Sequence, residues 1–270
     1  MSENREGAGV GGDPRSAAAG LGRPAARDIE AVVFDWGGTL SVYAAVELAD
    51  MWRLAARHLA SHGPVRDPKT EDRICRELAR VEAAAWDRVS DDQSPSTLGE
   101  ILAEASDALG MDVAEAVLEE AATHHLDSWT PHIEHDPDAA PVLQELRERG
   151  IRTGLLSNTH WPRTFHERFL ERDGLADLLD VRCYTSEMKR TKPHPDAFAH
   201  VVESLNVKDP AQMVFVGDRP YDDIYGAKQF GMRAVLRPNS FVPRWDVTPD
   251  ATIDRLPELL SLIDTWNAAN

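Results

Sequence analysis

Three short apolar runs interrupt a chain that is otherwise polar or helix-patterned: Ala31-Val32-Val33-Phe34, Thr153-Gly154-Leu155-Leu156 and Met213-Val214-Phe215-Val216-Gly217. Each stops abruptly on a polar group, respectively Asp35, Ser157 and Asp218. Runs of this length, separated by helix-like stretches and in two cases rich in β-branched residues, predict buried strands of a parallel sheet whose carboxyl ends line a ligand crevice. Between the first two runs, the stretch from Ser41 to Leu155 is dominated by helical periodicity. Ala44, Leu48, Met51, Ala55 and Leu59 suit one helix; Ile74, Leu78, Val81 and Trp86 a second; Ile101, Leu102, Ala105 and Leu109 a third; Val113, Val117, Leu118 and Leu126 a fourth. Gly63-Pro64 and Asp91-Asp92-Gln93-Ser94-Pro95 mark turns, and Thr97 with Glu100 three residues later reads as a capping box. The chain returns at Pro137 through a helix around Ala140 to Leu146. Ala234-Val235-Leu236 predicts a further strand, and Leu256 to Trp266 a closing helix. No internal repeat is evident.

This pattern brings two carboxylates and a hydroxyl to one sheet edge. Lys192 is expected to join them, because it lies in the proline-bracketed loop Thr191-Lys192-Pro193-His194-Pro195. Carboxylates beside a lysine and a serine suit Mg²⁺ together with a phosphate-like anion: oxygens for the hard cation, Lys and Ser for the anion. Asp218 and Asp223 are five residues apart, so a strand end and the first turn of a following helix bring both to one cation. Asp222 is the weaker neighbour. Ser157 with Asn158 also reads as a helix N-cap, a role compatible with anion binding. Lys189 and Arg190 are fallback anion binders. His124 with His125, and His132 with His135, have spacings seen in metal sites, but an acidic site elsewhere leaves them little claim. His160 reads as a helix-surface residue, and Trp52, Trp86 and Trp129 either as core or as the wall of a substrate pocket.

The 42% hydrophobic content of 270 residues is ample for a buried core, and no apolar run approaches the ~18–20 residues that span a bilayer. A net charge of −17 argues against nucleic acid as a partner, since that binding neutralises phosphates with Lys and Arg. Cys75 and Cys183 are the only cysteines and lack paired spacing, so neither a disulfide framework nor a zinc site is indicated, and a reducing cytoplasm is expected. Residues 1–27, rich in Gly, Ala, Arg and Pro without an apolar segment, predict a disordered tail.

Four ordered motifs resemble those of the haloacid dehalogenase superfamily: Phe34-Asp35-Trp36-Gly37-Gly38-Thr39-Leu40, Leu156-Ser157-Asn158, Lys192-Pro193-His194-Pro195-Asp196-Ala197-Phe198, and Val216-Gly217-Asp218-Arg219-Pro220-Tyr221-Asp222-Asp223. The resemblance implies an α/β fold, with a Rossmann-like parallel sheet core flanked by helices over residues 28–42 and 131–270, and an inserted all-helical cap over 43–130. It implies a Mg²⁺-dependent hydrolase acting on a small phosphorylated metabolite through an aspartyl-phosphate on Asp35. Ser157 and Lys192 assist catalysis, Gly38, Thr39, Ser157, Asn158 and Lys192 hold the phosphate, and Asp35, the Gly37 carbonyl, Asp218 and Asp223 hold the metal. One departure matters: the family's phosphatases carry a second Asp, the general acid and base, where this chain has Gly37. Glycine cannot carry a proton, so the ~10²–10⁴-fold usual for general acid–base catalysis is at stake. Two branches share that loss. Dehalogenases also replace the fourth-motif acid, which is present here. Phosphonoacetaldehyde hydrolases have a similar first motif but need a cap lysine, and Lys69, the single lysine of 41–150, reads as an exposed polar turn. A third alternative is a catalytically weak phosphate- or metal-binding regulatory protein.

Overall fold

The computed structural model describes residues 28–42, 46–63 and 68–269. The expected tail over 1–27, the helical position Ala44 and Pro64 of the expected turn lie outside them. Six strands, β1 (Ala31–Phe34), β2 (Arg152–Ser157), β3 (Val181–Tyr184), β4 (Met213–Gly217), β5 (Arg233–Leu236) and β6 (Ala251–Thr252), form one sheet in the order β3-β2-β1-β4-β5-β6. Every neighbouring pair is parallel. Val33 lies opposite Gly154 on one side and Phe215 on the other, so the apolar runs stack in register at the centre. Strand order reverses between β1 and β4. At that point, neighbouring chains diverge and leave a crevice at their carboxyl ends, where Asp35 and Asp218 emerge side by side.

The long helical stretch forms α1 (Leu48–Met51), α2 (Arg53–His62), α3 (Pro68–Asp91), α4 (Leu98–Ala108) and α5 (Glu115–Trp129). Four of these helices enclose their own apolar cluster, which includes Leu59, Ile74, Leu78, Val81, Ile101 and Leu102. The capping box at α4 is complete: Thr97 Oγ1 accepts from the Glu100 amide at 3.2 Å, and Glu100 Oε2 accepts from the Thr97 amide at 2.8 Å. The first helix expected from the periodicity is instead two, broken at Trp52. The cause is tertiary: Trp52 is fully buried, stacks on His125 at 3.7 Å and donates from Nε1 to Glu82 at 2.7 Å. Outgoing and returning strands of chain pair where this helical body meets the sheet, with Val42 donating to the Glu134 carbonyl and Asp136 to that of Leu40, both at 2.9 Å.

Helices α6 (Ala139–Glu148), α7 (Arg163–Arg172) and α10 (Glu258–Ala268) cover the sheet face that carries Val32, Phe34, Val214 and Val216. The opposite face, with Ala31, Val33 and Phe215, packs on α8 (Pro195–Leu205) and α9 (Gly226–Phe230). Alternate residues of one strand thus serve two cores, as expected of a strand buried on both sides. No described helix is long and apolar enough to cross a membrane.

Candidate active site

Asp35, at the end of β1, is 5% exposed, and its Oδ1 accepts from Lys192 Nζ at 2.7 Å. The same ammonium donates to Asp223 Oδ1, also at 2.7 Å, and Lys192 itself is fully buried. Two features fix this lysine from behind. The Asn158 side chain accepts from the Lys192 amide at 2.9 Å and donates to its carbonyl at 3.0 Å, and the Nζ sits 5.1 Å from the Phe215 ring centroid. Asn158, expected at the phosphate, is therefore committed to the lysine loop, although it still borders the cavity described below.

Asp223 follows β4 in a six-residue π-helical turn, Pro220–Tyr225, rather than in an α-helix. Its Oδ2 accepts from the Arg219 amide at 2.9 Å. Gly217 makes this possible, because a Cβ there would fall 2.3 Å from Asp223 Oδ2. Asp218 accepts from Asn239 Nδ2 at 3.0 Å through Oδ2, while its buried Oδ1 has no hydrogen-bond partner. Oxygens of Asp35, Asp218 and Asp223 all lie within 4.8 Å of one another. Burial pushes the Asp35 carboxyl up to about 6 against the pull of Lys192, and burial with the charges of Asp35 and Asp223 pushes Asp218 up to about 8. Asp222 is raised to about 6 by burial and by Asp223, and its Oδ1 is also unpartnered, but it lies outside the three-carboxylate group. For Lys192, burial pulls the value down, yet Asp223 and Asp35 outweigh it and hold the ammonium charged. The cluster thus has more negative charge than Lys192 balances, and its donors are hard oxygens with one orphaned, which fits a divalent cation such as Mg²⁺.

The remaining expected residues fall into three groups. Ser157, at the end of β2, is buried and borders the cavity with Gly37 and Gly38. No helix begins at Ser157 or Asn158; α7 starts at Arg163, so the N-cap expectation is corrected. Thr39 is fully buried, with its Oγ1 unpartnered, and does not border the cavity. Lys189, Arg190 and Lys69 are exposed and away from it, and Lys69 sits in the first turn of α3.

At Asp35, which borders it, opens a cavity of about 240 Å³ between the sheet edge and the helices. Trp36, Trp86, Trp129 and Trp161 border it, with His160 and His166. His160 is not on a helix surface: it is 4% exposed, its ring lies 4.1 Å from that of Trp86, and its Nδ1 is 3.2 Å from the Ser96 carbonyl. Burial depresses His160 to about 4 and His166 to about 3, so both rings are neutral near pH 7. Trp36 is oriented from its far side, donating from Nε1 to His135 Nε2 at 3.1 Å, while His135 Nδ1 meets Asp173 at 2.7 Å. Trp161, Glu82, Arg219 and Asn239 were not singled out by sequence. Glu82 alone had a signal, four residues before Trp86 and hence on the same helix face.

A family model described as haloacid dehalogenase-like hydrolase matches residues 29–231. A glyceraldehyde 3-phosphate phosphatase of Pyrococcus furiosus is 30% identical over 145 residues, which is 50% of this chain and 56% of that enzyme. The chain thus spans little more than half the length of that relative. The enzyme of the same name from Methanopyrus kandleri is 28% identical over 240 residues, 87% of this chain and 97% of its own. Among solved structures, a 2-haloacid dehalogenase from Pseudomonas syringae superposes with a TM-score of 0.63 at 25% identity, covering 88% of this chain and 99% of the other.

Proposed function

This chain belongs to the haloacid dehalogenase-like hydrolases, and from that premise we propose that it is a Mg²⁺-dependent phosphatase of a small phosphorylated compound, with α1 to α5 as its cap. The observation that carries this is the cluster itself: Asp35, Asp218 and Asp223 within 4.8 Å, with Lys192 bonded to two of them and Asp35 bordering a cavity. Lys192 holds Oδ1 of Asp35, which leaves Oδ2 to attack phosphorus. Asp35, Asp218 and Asp223, with the Gly37 carbonyl, are the residues to hold Mg²⁺, which when bound offsets the repulsion between carboxylate and phosphate. Ser157, Lys192 and the turn at Gly38 and Thr39 are the candidates to receive the phosphate oxygens.

Hydrolysis of acetyl phosphate by purified protein, with and without chelator, tests this reading. Activity lost in Asp35→Asn and in chelator supports it; activity retained in both overturns it. A second reading, hydrolysis of a carbon–halogen bond through Asp35, is favoured by the dehalogenase likeness and the apolar cavity wall. Halide release from a 2-haloacid in excess chelator would identify it. A Schiff-base route has no lysine among the cavity residues to carry it.

A further inference from the structure

Two independent observations bear on what leaves when phosphorus is attacked. The first is chemical. The position two residues after Asp35 is Gly37, which holds no proton, and the two buried imidazoles bordering the cavity, His160 and His166, are neutral near pH 7. Neither Gly37 nor these two imidazoles supplies a proton to the leaving group, and the Glu82 carboxyl at the wall is held by Trp52 Nε1 at 2.7 Å, so the site favours a leaving group that is stable as an anion. An alkanol, with a pKa like that of water near 16, is poor in that role, whereas a phenol, with a pKa of about 10 as in tyrosine, is six orders of magnitude better as judged by its basicity.

The second observation is steric. Four of the seven tryptophans border one cavity. Trp129 and Trp161 have ring centroids 5.1 Å apart, Trp36 stands edge-on to Trp161 at 6.1 Å, and Trp86 lies against His160 at 4.1 Å. These walls come from α3, α5 and the loops after β1 and β2, so rings from four separate segments converge on one space. A cavity of about 150 Å³ accommodates benzene; about 240 Å³ therefore accommodates one ring with its phosphate. Flat apolar walls favour a ring in offset or edge contact, about 0.5–1.5 kcal/mol per pair beyond area burial. Apart from Asp35, Glu82 is the one acidic side chain among the bordering residues, oriented by Trp52 Nε1 at 2.7 Å.

From these we infer that the substrate is an aryl phosphate, a phosphate ester of a one-ring phenol without a second negative charge on the ring. The inference rests on the phosphatase reading above. An oxygen of Asp35 bonds to phosphorus as the bond from phosphorus to the aryl oxygen breaks, and the electron pair leaves on the phenolate. Water then adds to phosphorus, the bond from phosphorus to Asp35 breaks, and of the water's two protons one ends on the phenolate and one on the phosphate. Phenol, inorganic phosphate and the free carboxylate result.

Three phosphates separate ring recognition from leaving-group strength: phenyl phosphate has both, cyclohexyl phosphate has the size without the leaving group, and acetyl phosphate has the leaving group without the ring. With Mg²⁺ present, kcat/KM for phenyl phosphate should exceed that for acetyl phosphate at least tenfold and that for cyclohexyl phosphate at least a hundredfold, and 4-carboxyphenyl phosphate should fall at least tenfold below phenyl phosphate. Trp86→Ala and Trp161→Leu should each lower the phenyl-to-acetyl ratio at least fivefold. Phenylphosphonate, which cannot be cleaved at oxygen, should quench the tryptophan fluorescence of Asp35→Asn, while methylphosphonate should not. Acetyl phosphate turned over as fast as phenyl phosphate, or equal quenching by both phosphonates, overturns the inference and leaves the phosphatase reading standing. No turnover of any of the four overturns the phosphatase reading and the inference with it.

Discussion

Lys192→Met removes a charge from the centre of the molecule while keeping most of the side-chain volume, and its cost should depend on pH in a direction fixed by the cluster. Lys192 is fully buried, bonded to Asp35 and Asp223 at 2.7 Å each. Breaking a buried ion pair by removing one partner costs about 3–5 kcal/mol when the stranded charge persists. Here the stranded group has an exit: one carboxylate takes up a proton. Burial already raises Asp35 to about 6, and loss of Lys192, which lowers it, drives it higher. The cost of that proton uptake is set by the unfolded carboxylate, near 3.8, at 1.36 kcal/mol per pH unit. Wild-type Asp35, already near 6, bears about 3 kcal/mol of such a cost at pH 7 and nearly all of it at pH 5, so the variant's added cost is about 1.5 kcal/mol at pH 7 and close to zero at pH 5. A carboxylate whose folded value is raised favours folding least above that value, so the variant's deficit grows as pH rises. Urea unfolding of both proteins in chelator at the two pH values measures it. Equal deficits at pH 5 and pH 7 would refute this account and show that Lys192 acts through packing alone.

Gly37→Asp should raise turnover of cyclohexyl phosphate by up to about 10²-fold and leave phenyl phosphate nearly unchanged, because a proton donor helps most when the leaving group is poor; a steady-state leaving-group series checks it. Mg²⁺ should raise the melting temperature of the wild-type protein and not that of Asp218→Asn, since a ligand stabilises only the state that binds it. His125 and His166, depressed to about 3 by burial, should make folding acid-sensitive: their neutral forms favour the native state fully above about pH 6.5, and each gives up about 2 kcal/mol by pH 5. His125→Phe, which keeps the stack on Trp52, should lessen that loss in unfolding curves at pH 5, compared with pH 7.5. Gly217→Ala should lower both stability and Mg²⁺ affinity, followed by melting and calorimetry, because its Cβ would displace Asp223.

The central strands were readable because burial on both faces writes itself as an unbroken apolar run, as in Val32 to Phe34 and Met213 to Val216. The edge strands carry no such mark. In β3, Val181 and Arg182 are only half-buried, and β6 is two residues long, so neither shows a run that separates it from a loop. The break at Trp52 was hidden for a different reason: helical periodicity continues across it, and what interrupts the helix is a contact with Glu82 and His125, 30 and 73 residues away in sequence. His160 was misplaced because a histidine three residues after a strand end has no local pattern, and its burial depends on Trp86 from another element.

At the site, the residues themselves were visible but their pairing was not. Motif spacing brought out Asp35, Lys192, Asp218 and Asp223, yet nothing local says that Lys192 spans Asp35 and Asp223 while Asn158 grips its backbone from the opposite side. The geometry also bears on the departure at Gly37. A glycine retained for a left-handed backbone or for want of space would make the missing acid a by-product of folding. Neither applies: the left-handed residue of this turn is Gly38, at φ 79°, and a Cβ on Gly37 would meet no atom within 4 Å. The backbone and the space beside it thus accept a Cβ. The absence of an aspartate is then a property of the chemistry, consistent with a leaving group that needs no proton and with a cavity walled by tryptophan.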